Sequence, residues 1–274
     1  MVELSTRALE ANDDEMRLFQ QLFKQHIGMH LPQSKKALLC SRLSKRLNEL
    51  GLNSFRAYYE VIAAPTAAEE RQRAIDLITT NETYFFREPR HFDFLRAQVL
   101  PKASRTEPLR IWSAASSTGE EGYSIAMLLD AERHDAPWEV YGSDISQRVL
   151  RFARRGVYPM GRGEHIPPDY LKRYCLRGNG AYAGQFLVEQ RLRECVQFGQ
   201  LNLTDLPRHL GPFDVIFLRN VIIYFDMPTK TQVVQSVVQH LKPGGWLLVG
   251  HSESLHGMAL PLQMHAPSIY RKPA

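Results

Sequence analysis

Residues 109–144 read LRIWSAASSTGEEGYSIAMLLDAERHDAPWEVYGSD, and this segment contains a strand, a turn, a helix and a second strand in succession. LRIWSA is an apolar run of strand length, and residues 116–119 combine small and turn-forming residues. EEGYSIAMLLDAER has helical composition, and EVYGSD is a strand that ends at Asp144. A strand, a crossover helix and a second strand predict two parallel neighbours in an α/β sheet.

The same alternation continues towards the C-terminus. SQRVLRFARRG predicts a helix that ends at Gly156, FDVIFLRN a buried strand, TKTQVVQSVVQHL a helix, and WLLVG a strand after a turn at residues 242–245. SIYRK is expected to add an antiparallel strand at the edge. The sequence therefore predicts a mostly parallel sheet with helices on both faces.

Two regions depart from this pattern. Residues from about 13 to 80 show apolar residues at spacings of three and four, with a helix start near Pro32, a helix end at Gly51 and a break at Pro65. We interpret them as a small helical domain. Residues 175–198 contain three glycines and the alternating segments FLVEQ and CVQF, which predict a small antiparallel hairpin insert.

Composition excludes several classes of protein. The 274 residues are 44% hydrophobic and 23% charged, which is typical of globular chains and argues against disorder. No uncharged apolar run approaches the roughly 18 residues of a transmembrane helix, and the first residues lack the apolar segment of a signal peptide. The three cysteines form no CxxC pair, which favours reduced thiols in a cytoplasmic protein.

Charge is modest in sum but uneven along the chain. The net charge is +5, yet no acidic residue occurs between Met16 and Asn48. Such a stretch raises the local concentration of an acidic partner, although a solvated helix face is an equally good interpretation. No ligand spacing predicts a metal site, since His26 and His30 could share a helix face but have no third ligand nearby.

Ligands of a doubly wound sheet bind at the carboxyl ends of its strands, which here means residues 113–119 and Asp144. A carboxylate in this position accepts hydrogen bonds from two ribose hydroxyls. No GxGxxG motif is present, so a pyrophosphate cradle is not expected, and S-adenosylmethionine becomes the favoured ligand. Two structural alternatives remain: Thr118 and Glu121 fit a helix capping box, and Asp144 could be an ordinary turn residue.

Six motifs occur in order along the chain. They are Asn-x-Thr-x-Phe-Phe-Arg (81–87), Trp-Ser-Ala-Ala-x-Ser-Thr-Gly-Glu-Glu (112–121), Asp144, Phe-x-Arg-Asn-Val-x-Ile-Tyr-Phe (217–225), Leu-Lys-Pro-Gly-Gly (241–245) and Gly-His-Ser-Glu (250–253). Together they resemble the chemotaxis receptor protein-glutamate O-methyltransferases, the CheR family, over essentially the full length.

This resemblance implies a class I (Rossmann-like) S-adenosylmethionine-dependent methyltransferase domain at 85–274, an N-terminal helical substrate-recognition domain at 1–84, and a β-subdomain insert at about 174–199. It implies Arg87 and Tyr224 as the residues beside the reacting methyl group. The implied cofactor contacts are Asn81, Thr83, Arg87, Glu121, Asp144, Asn202, Leu203, Arg219 and Asn220.

The resemblance also implies that the basic stretch binds the receptor, because receptor methylation regions are long acidic helices. The expected substrate-binding residues are Lys35, Arg42, Lys45 and Arg46. A receptor C-terminal peptide could add a strand to the β-subdomain. We expect S-adenosylhomocysteine as the second product, a cytoplasmic monomer that reaches the membrane only through the receptor, and no nucleic-acid partner. The alternatives are a nucleic-acid methyltransferase and a non-catalytic adaptor that binds S-adenosylmethionine.

Overall fold

The computed structural model describes residues 9–274, which form two compact units. One unit holds the residues up to Thr80 together with the short segment Tyr224–Asp226, and the other holds Asn81–Ile223 and Met227–Ala274. Within the described residues, no helix is long and apolar enough to cross a membrane. Cys40, Cys175 and Cys195 form no disulfide, as expected.

Among its described residues the first unit contains four α-helices, in agreement with the prediction of a helical region. They are α1 (Asp13–Ile27), α2 (Lys36–Glu49), α3 (Phe55–Ala63) and α4 (Ala68–Ile78). Asn12 and Glu15 form a reciprocal capping box at the start of α1, and Gly28 ends that helix with φ +70°. The predicted break at Pro65 lies between α3 and α4. Phe19, Leu39 and Tyr58 are fully buried in its core.

A distant piece of the chain completes this unit. Met29 and Phe225 form an antiparallel bridge, and the backbone N–H of His30 donates to the carbonyl of Tyr224 at 2.8 Å. The Lys24 ammonium pairs with Asp226. The unit therefore contains residues that follow the predicted strand FDVIFLRN.

The second unit contains the strands β1 (Leu109–Ser113), β2 (Trp138–Asp144), β3 (Val157–Pro159), β4 (Cys175–Arg177), β5 (Gln185–Val188), β6 (Val196–Gln200), β7 (Phe213–Leu218), β8 (Leu241–Val249), β9 (Gln263–Ala266) and β10 (Ile269–Arg271). Its helices are α5 (Arg90–Phe94), α6 (Glu120–Arg133), α7 (Gln147–Arg155), α8 (Pro168–Tyr174), α9 (Gln190–Cys195) and α10 (Met227–Gln239).

A seven-stranded sheet forms the frame of this unit, in the order β6-β2-β1-β7-β8-β10-β9. The pairs from β6 to β8 are parallel, and β10 runs antiparallel to both of its neighbours. Strand order proceeds away from β1 in both directions, so the boundary between β1 and β7 is a topological switch point. The predicted α/β class with N-terminal helices is confirmed.

The last strands differ from the prediction. Residues 242–245, expected to form a turn, lie within β8, where the pairing with β7 shifts register and Gly244 has φ +73°. A glycine in the left-handed region is typical of a bulge, which resembles a turn in sequence. SIYRK does form an antiparallel strand, but β10 lies inside the sheet and β9 forms the edge.

A second, small sheet has the antiparallel order β3-β5-β4. The expected pairing of FLVEQ with CVQF is wrong, because residues 196–200 form β6 and pair with β2 in the large sheet. The helix α9 separates β5 from β6, so the two segments cannot form a tight hairpin. The small sheet instead takes β3 from the residues that follow α7.

Candidate active site

The carboxyl ends of β1 and β2 bring the predicted loop and Asp144 together. The Oδ2 atom of Asp144 accepts a hydrogen bond from the backbone N–H of Ser117 at 3.0 Å, and Oδ1 accepts from that of Ser146 at 2.9 Å. Ser117 has φ +50° and Gly119 has φ +96°, so the turn bends sharply towards the carboxylate. These two contacts fix the direction of the Asp144 carboxylate at the end of its strand.

The same edge of the sheet carries hydroxyl groups that lack protein partners. The Oγ atoms of Ser116 and Ser146 are buried and make no hydrogen bond within the described residues. A Cβ atom at Gly142 would lie 3.1 Å from Ser116 Oγ and 2.6 Å from the Phe198 ring. A carboxylate with unpartnered hydroxyls beside it suits a ligand rich in hydroxyl groups, such as a ribose.

Residues after β6 reach the same place. The backbone N–H of Leu201 donates to the carbonyl of Asp144 at 3.1 Å, so Asn202 and Leu203 follow directly from a contact with the end of β2. The Oδ1 atom of Asn202 accepts from the backbone and the hydroxyl of Thr204, at 3.1 Å and 2.8 Å. Asn202 and Leu203 thus lie next in sequence to a residue that contacts Asp144.

Glu121 has a different role from the capping box that its spacing suggested. α6 begins after Gly119 without a side-chain cap, and Glu121 Oε1 accepts from Ser113 Oγ at 2.6 Å. Its Oε2 atom accepts from Arg219 Nη1 at 2.9 Å. Burial raises the pKa of Glu121, while the Arg219 charge opposes that change. The capping-box interpretation is wrong, because the Glu121 carboxylate accepts hydrogen bonds from Ser113 and Arg219 and makes no cap at the start of α6.

Arg219, after β7, connects Glu121 to the segment that precedes α5. Its side chain is 1% exposed, and Nη2 lies 3.1 Å from Glu88 Oε2. The same guanidinium donates to the backbone carbonyl of Arg87. Three acceptors thus surround one buried cation, which satisfies the requirement that buried charges be paired.

Two serine hydroxyls, one in the turn after β1 and one in α6, bind the backbone of the segment from Asn81 to Glu88. Ser117 Oγ donates to the carbonyl of Asn81 at 2.9 Å, and the N–H of Phe86 donates to Ser124 Oγ at 2.9 Å. Phe86 and Glu88 have φ of +53° and +58°, a strained backbone that is typical of functional sites. The predicted residues Asn81, Thr83 and Arg87 all belong to this segment.

Arg87 is half-buried within that segment. Its Nη1 donates to the carbonyl of Glu82 at 3.1 Å, and the guanidinium carbon lies 5.7 Å from the centre of the Tyr84 ring. These local contacts orient the side chain but leave most of its five donors available.

Sequence reasoning missed two acidic residues that join these segments. Glu88 accepts from the backbone N–H of His251 at 3.2 Å, and Glu253 accepts from the N–H groups of Asn220, Ile222 and Gly250 at 2.7–2.9 Å. Burial would raise the pKa of Glu88, but Arg219 and the His251 N–H outweigh it and hold the pKa low. Glu253 lies in the quoted Gly-His-Ser-Glu motif, which was the available signal.

The remaining predicted residues lie in the first unit. Tyr224 belongs there by its backbone bond to His30. Lys35 and Lys45 are exposed. Arg46 is held by Glu70, with contacts of 2.8 Å and 2.6 Å, and Arg42 donates to the carbonyl of Ile78 and to Thr80. The four predicted cations therefore do not form one solvated set.

Comparison with known proteins identifies both parts of the chain. The family model described as CheR methyltransferase, all-alpha domain matches residues 14–79, and the model described as CheR methyltransferase, SAM binding domain matches residues 81–269.

Similar proteins include the "Chemotaxis protein methyltransferase" of Salmonella typhimurium, which is 38% identical over 97% of this chain and 92% of its own length. The protein of that name from Escherichia coli is 39% identical over 97% of this chain and 93% of its own. The "Chemotaxis protein methyltransferase 2" of Pseudomonas aeruginosa is 44% identical over 83% and 81%.

Proposed function

The chain belongs to the CheR methyltransferase family, and from that membership we propose that it methylates glutamate side chains of membrane chemoreceptors. It is a chemotaxis protein methyltransferase with S-adenosylmethionine as its cofactor. The proposed products are glutamate 5-O-methyl esters and S-adenosylhomocysteine, and the proposed role is chemotactic adaptation.

The observation that carries this proposal is the fixed carboxylate of Asp144 beside two unpartnered serine hydroxyls. We assign the ribose to Asp144 and further cofactor contacts to the predicted residues of the same unit. These are Asn81, Thr83, Arg87, Glu121, Asn202, Leu203, Arg219 and Asn220.

The bound cofactor supplies an activated methyl group on a sulfonium, with a neutral thioether as the leaving group. A glutamate acceptor has an ordinary pKa near ~4.3, so it is ionised at neutral pH and needs no general base. The task left to the protein is to hold the acceptor in line with the donor. We assign this task to Arg87 and to the hydroxyl of Tyr224.

The carboxylates around Arg219 favour a carboxylate acceptor over an amine. An amine acceptor must lose a proton and therefore requires a base. Glu88 and Glu121 are paired with Arg219, and Glu253 is occupied by three backbone N–H groups. Glu88, whose pKa is held low, and Glu253, whose oxygens accept three backbone bonds, are therefore poorly placed to take a proton from an amine.

We propose that receptor helices bind through the N-terminal domain, residues 1–84, of which residues 1–8 lie outside the described range. Lys35 and Lys45 remain available for acidic partners, whereas Arg46 and Arg42 are occupied by internal contacts. We also propose a cytoplasmic monomer that meets the membrane only through its receptor.

The small sheet offers a place for a receptor peptide. Its order leaves β4 at an edge, where Leu176 is 57% exposed. An extended peptide can add to such an edge through main-chain hydrogen bonds. We therefore retain the C-terminal receptor peptide as a second proposed contact, made by the methyltransferase domain 85–274.

The experiment that tests the reaction uses S-adenosylmethionine labelled in its methyl group and receptor-containing membranes. A carboxylate ester should release the label as volatile methanol in mild alkali, and receptor-free membranes serve as the control. Label that stays bound in alkali would contradict the proposal, and label recovered in nucleic acid would favour a nucleic-acid methyltransferase. The complete absence of incorporated label would favour a non-catalytic adaptor.

A further inference from the structure

A buried histidine beside the active-site network has no hydrogen-bonding partner. His91, in α5, is 1% exposed, and neither of its ring nitrogens makes a hydrogen bond within the described residues. Burying a polar group without a hydrogen-bonding partner destabilises the folded protein. Apolar residues occupy most of the surrounding core without that cost, so this histidine requires an explanation.

Two further ligating groups face His91. Its Nδ1 atom lies 3.5 Å from Glu88 Oε2, and His251 Nε2 lies 3.8 Å from the same oxygen. One ligand atom from each residue lies within 4.8 Å of the other two. Ligands about 2.0–2.1 Å from a tetrahedral Zn²⁺ are about 3.3 Å apart, so the two distances to Glu88 need only small adjustments.

From this convergence we propose that Glu88, His91 and His251 bind a divalent transition-metal cation of the Zn²⁺ class. Two imidazoles and one carboxylate form a donor set that Zn²⁺, Co²⁺ and Ni²⁺ accept, whereas Mg²⁺ and Ca²⁺ require oxygen ligands. Three protein ligands leave a fourth position for water, and the 47% exposed side chain of His251 provides a path to solvent.

The protonation state of His91 suits this role. Burial and the neighbouring Arg219 charge lower the pKa of His91 to about 3, so the imidazole is neutral at physiological pH. A neutral imidazole is the form that binds a metal. No proton has to be displaced from His91 when the cation enters.

Arg219 carries the nearest positive charge that would repel the cation, and its Nη2 atom also contacts Glu88 Oε2. Glu121 lies on the other side of the same guanidinium, 2.9 Å from Nη1. Glu88, whose pKa is held low, supplies the carboxylate charge of the site. Competition between Arg219 and the cation for Glu88 Oε2 limits the affinity of the cation.

The test titrates the full chain, without a histidine tag and after treatment with a chelator, with Zn²⁺ in a calorimeter. No S-adenosylmethionine is added, so the result does not depend on the proposed function. We expect one equivalent to bind, and His251→Gln to weaken binding at least tenfold. His256→Gln is the matched control, because it removes another exposed histidine of the same loop and should leave binding unchanged.

Two additional measurements make the outcome decisive. Co²⁺ in a four-coordinate, tetrahedral site has a strong absorption band in the visible range. This band should appear in the wild type and be absent from His251→Gln. Mg²⁺ should produce no binding heat at the same concentrations. Equal Zn²⁺ affinity in the wild type and His251→Gln, or the lack of one-to-one binding in the wild type, would overturn the proposal.

Discussion

Two backbone N–H groups orient the carboxylate of Asp144, to which we assign the ribose of the cofactor. Ser117 donates to Oδ2 and Ser146 to Oδ1, which orients the carboxylate at the end of β2. Asp144→Ala should weaken binding of S-adenosylhomocysteine by a few kcal/mol, since hydrogen bonds to charged groups contribute roughly 1.5–3 kcal/mol each. Calorimetry measures this difference. Asp135→Ala, at an exposed carboxylate beyond α6, is the control, and equal affinities in the two variants would refute the ribose assignment.

His91 makes the stability of the protein depend on pH. Its pKa is about 3 in the folded chain and about 6.5 in the unfolded chain, so between these values the unfolded chain binds more protons. The free energy of unfolding should therefore decrease as the pH falls from about 6.5 towards 3. By pH 5 the contribution of His91 to this loss is about 2 kcal/mol.

Urea unfolding at pH 7 and pH 5, with a chelator present, checks this contribution. His91→Gln cannot titrate, so its unfolding free energy should change with pH by about 2 kcal/mol less than that of the wild type. If the variant and the wild type lose the same stability between the two values, His91 is not the responsible group.

At the scale of elements, the basic residues in and next to α2 have two different roles: one is structural, and two are available for binding. Arg46 pairs with Glu70, which also accepts from Tyr58 at 2.9 Å, so it joins α2 to α3 and α4. The Arg46 contact holds the pKa of Glu70 low despite burial of the carboxylate. Lys35, just before the helix, and Lys45, within it, are both exposed.

This difference predicts opposite phenotypes for neighbouring substitutions. Lys35→Glu with Lys45→Glu should reduce receptor methylation severalfold at low ionic strength, where surface charges are least screened, and should leave thermal unfolding unchanged. Arg46→Ala should lower the unfolding free energy by about 2 kcal/mol through the loss of charged hydrogen bonds. Initial methylation rates and unfolding midpoints of both variants distinguish the two roles. Unaltered methylation by the double variant would mean that this face is only solvated.

The local pattern of apolar and polar residues was sufficient to predict the central helix and strands of the sheet domain. α6 contains the residues predicted from composition, and β1, β2 and β7 follow their apolar runs closely. β9 was missed because it has only four residues and these are largely exposed. The start of β8 was missed because its bulge resembles a turn. The pairing of β6 with β2 depends on contacts that adjacent residues do not reveal.

The candidate site divides in the same way. The position of Asp144 follows from the end of a predicted strand, and the role of the loop after β1 follows from its small residues. The network around Arg219 could not be predicted from residue spacing, because Glu88 and His251 are 163 positions apart along the chain. The family resemblance named Arg219 and Glu121, but their mutual contact emerges only from the fold.

At the scale of the whole molecule, the two compact units follow different physical rules. The first unit depends on amphipathic helices that share a small aromatic core around Phe19, with ring pairs at 6.0–6.4 Å. The second depends on a parallel sheet, whose strands are neighbours in space but distant in sequence. Asp144, Asn202 and Arg219, which we propose as cofactor contacts, all lie at or just after the ends of strands in the second unit, where the backbone leaves its regular pattern.

The segment Tyr224–Asp226 has a consequence for synthesis and inheritance. A ribosome releases residues 14–79 early, yet the three residues that bridge to Met29, bond to His30 and pair with Lys24 emerge only after β7. The contacts of the helical unit are therefore complete only after most of the chain has been translated. For the same reason, a recombination event at residue 80 would transfer this unit to another gene without its last three residues. The transferred unit would lack the bridge to Met29, the backbone bond of His30 and the ion pair of Lys24.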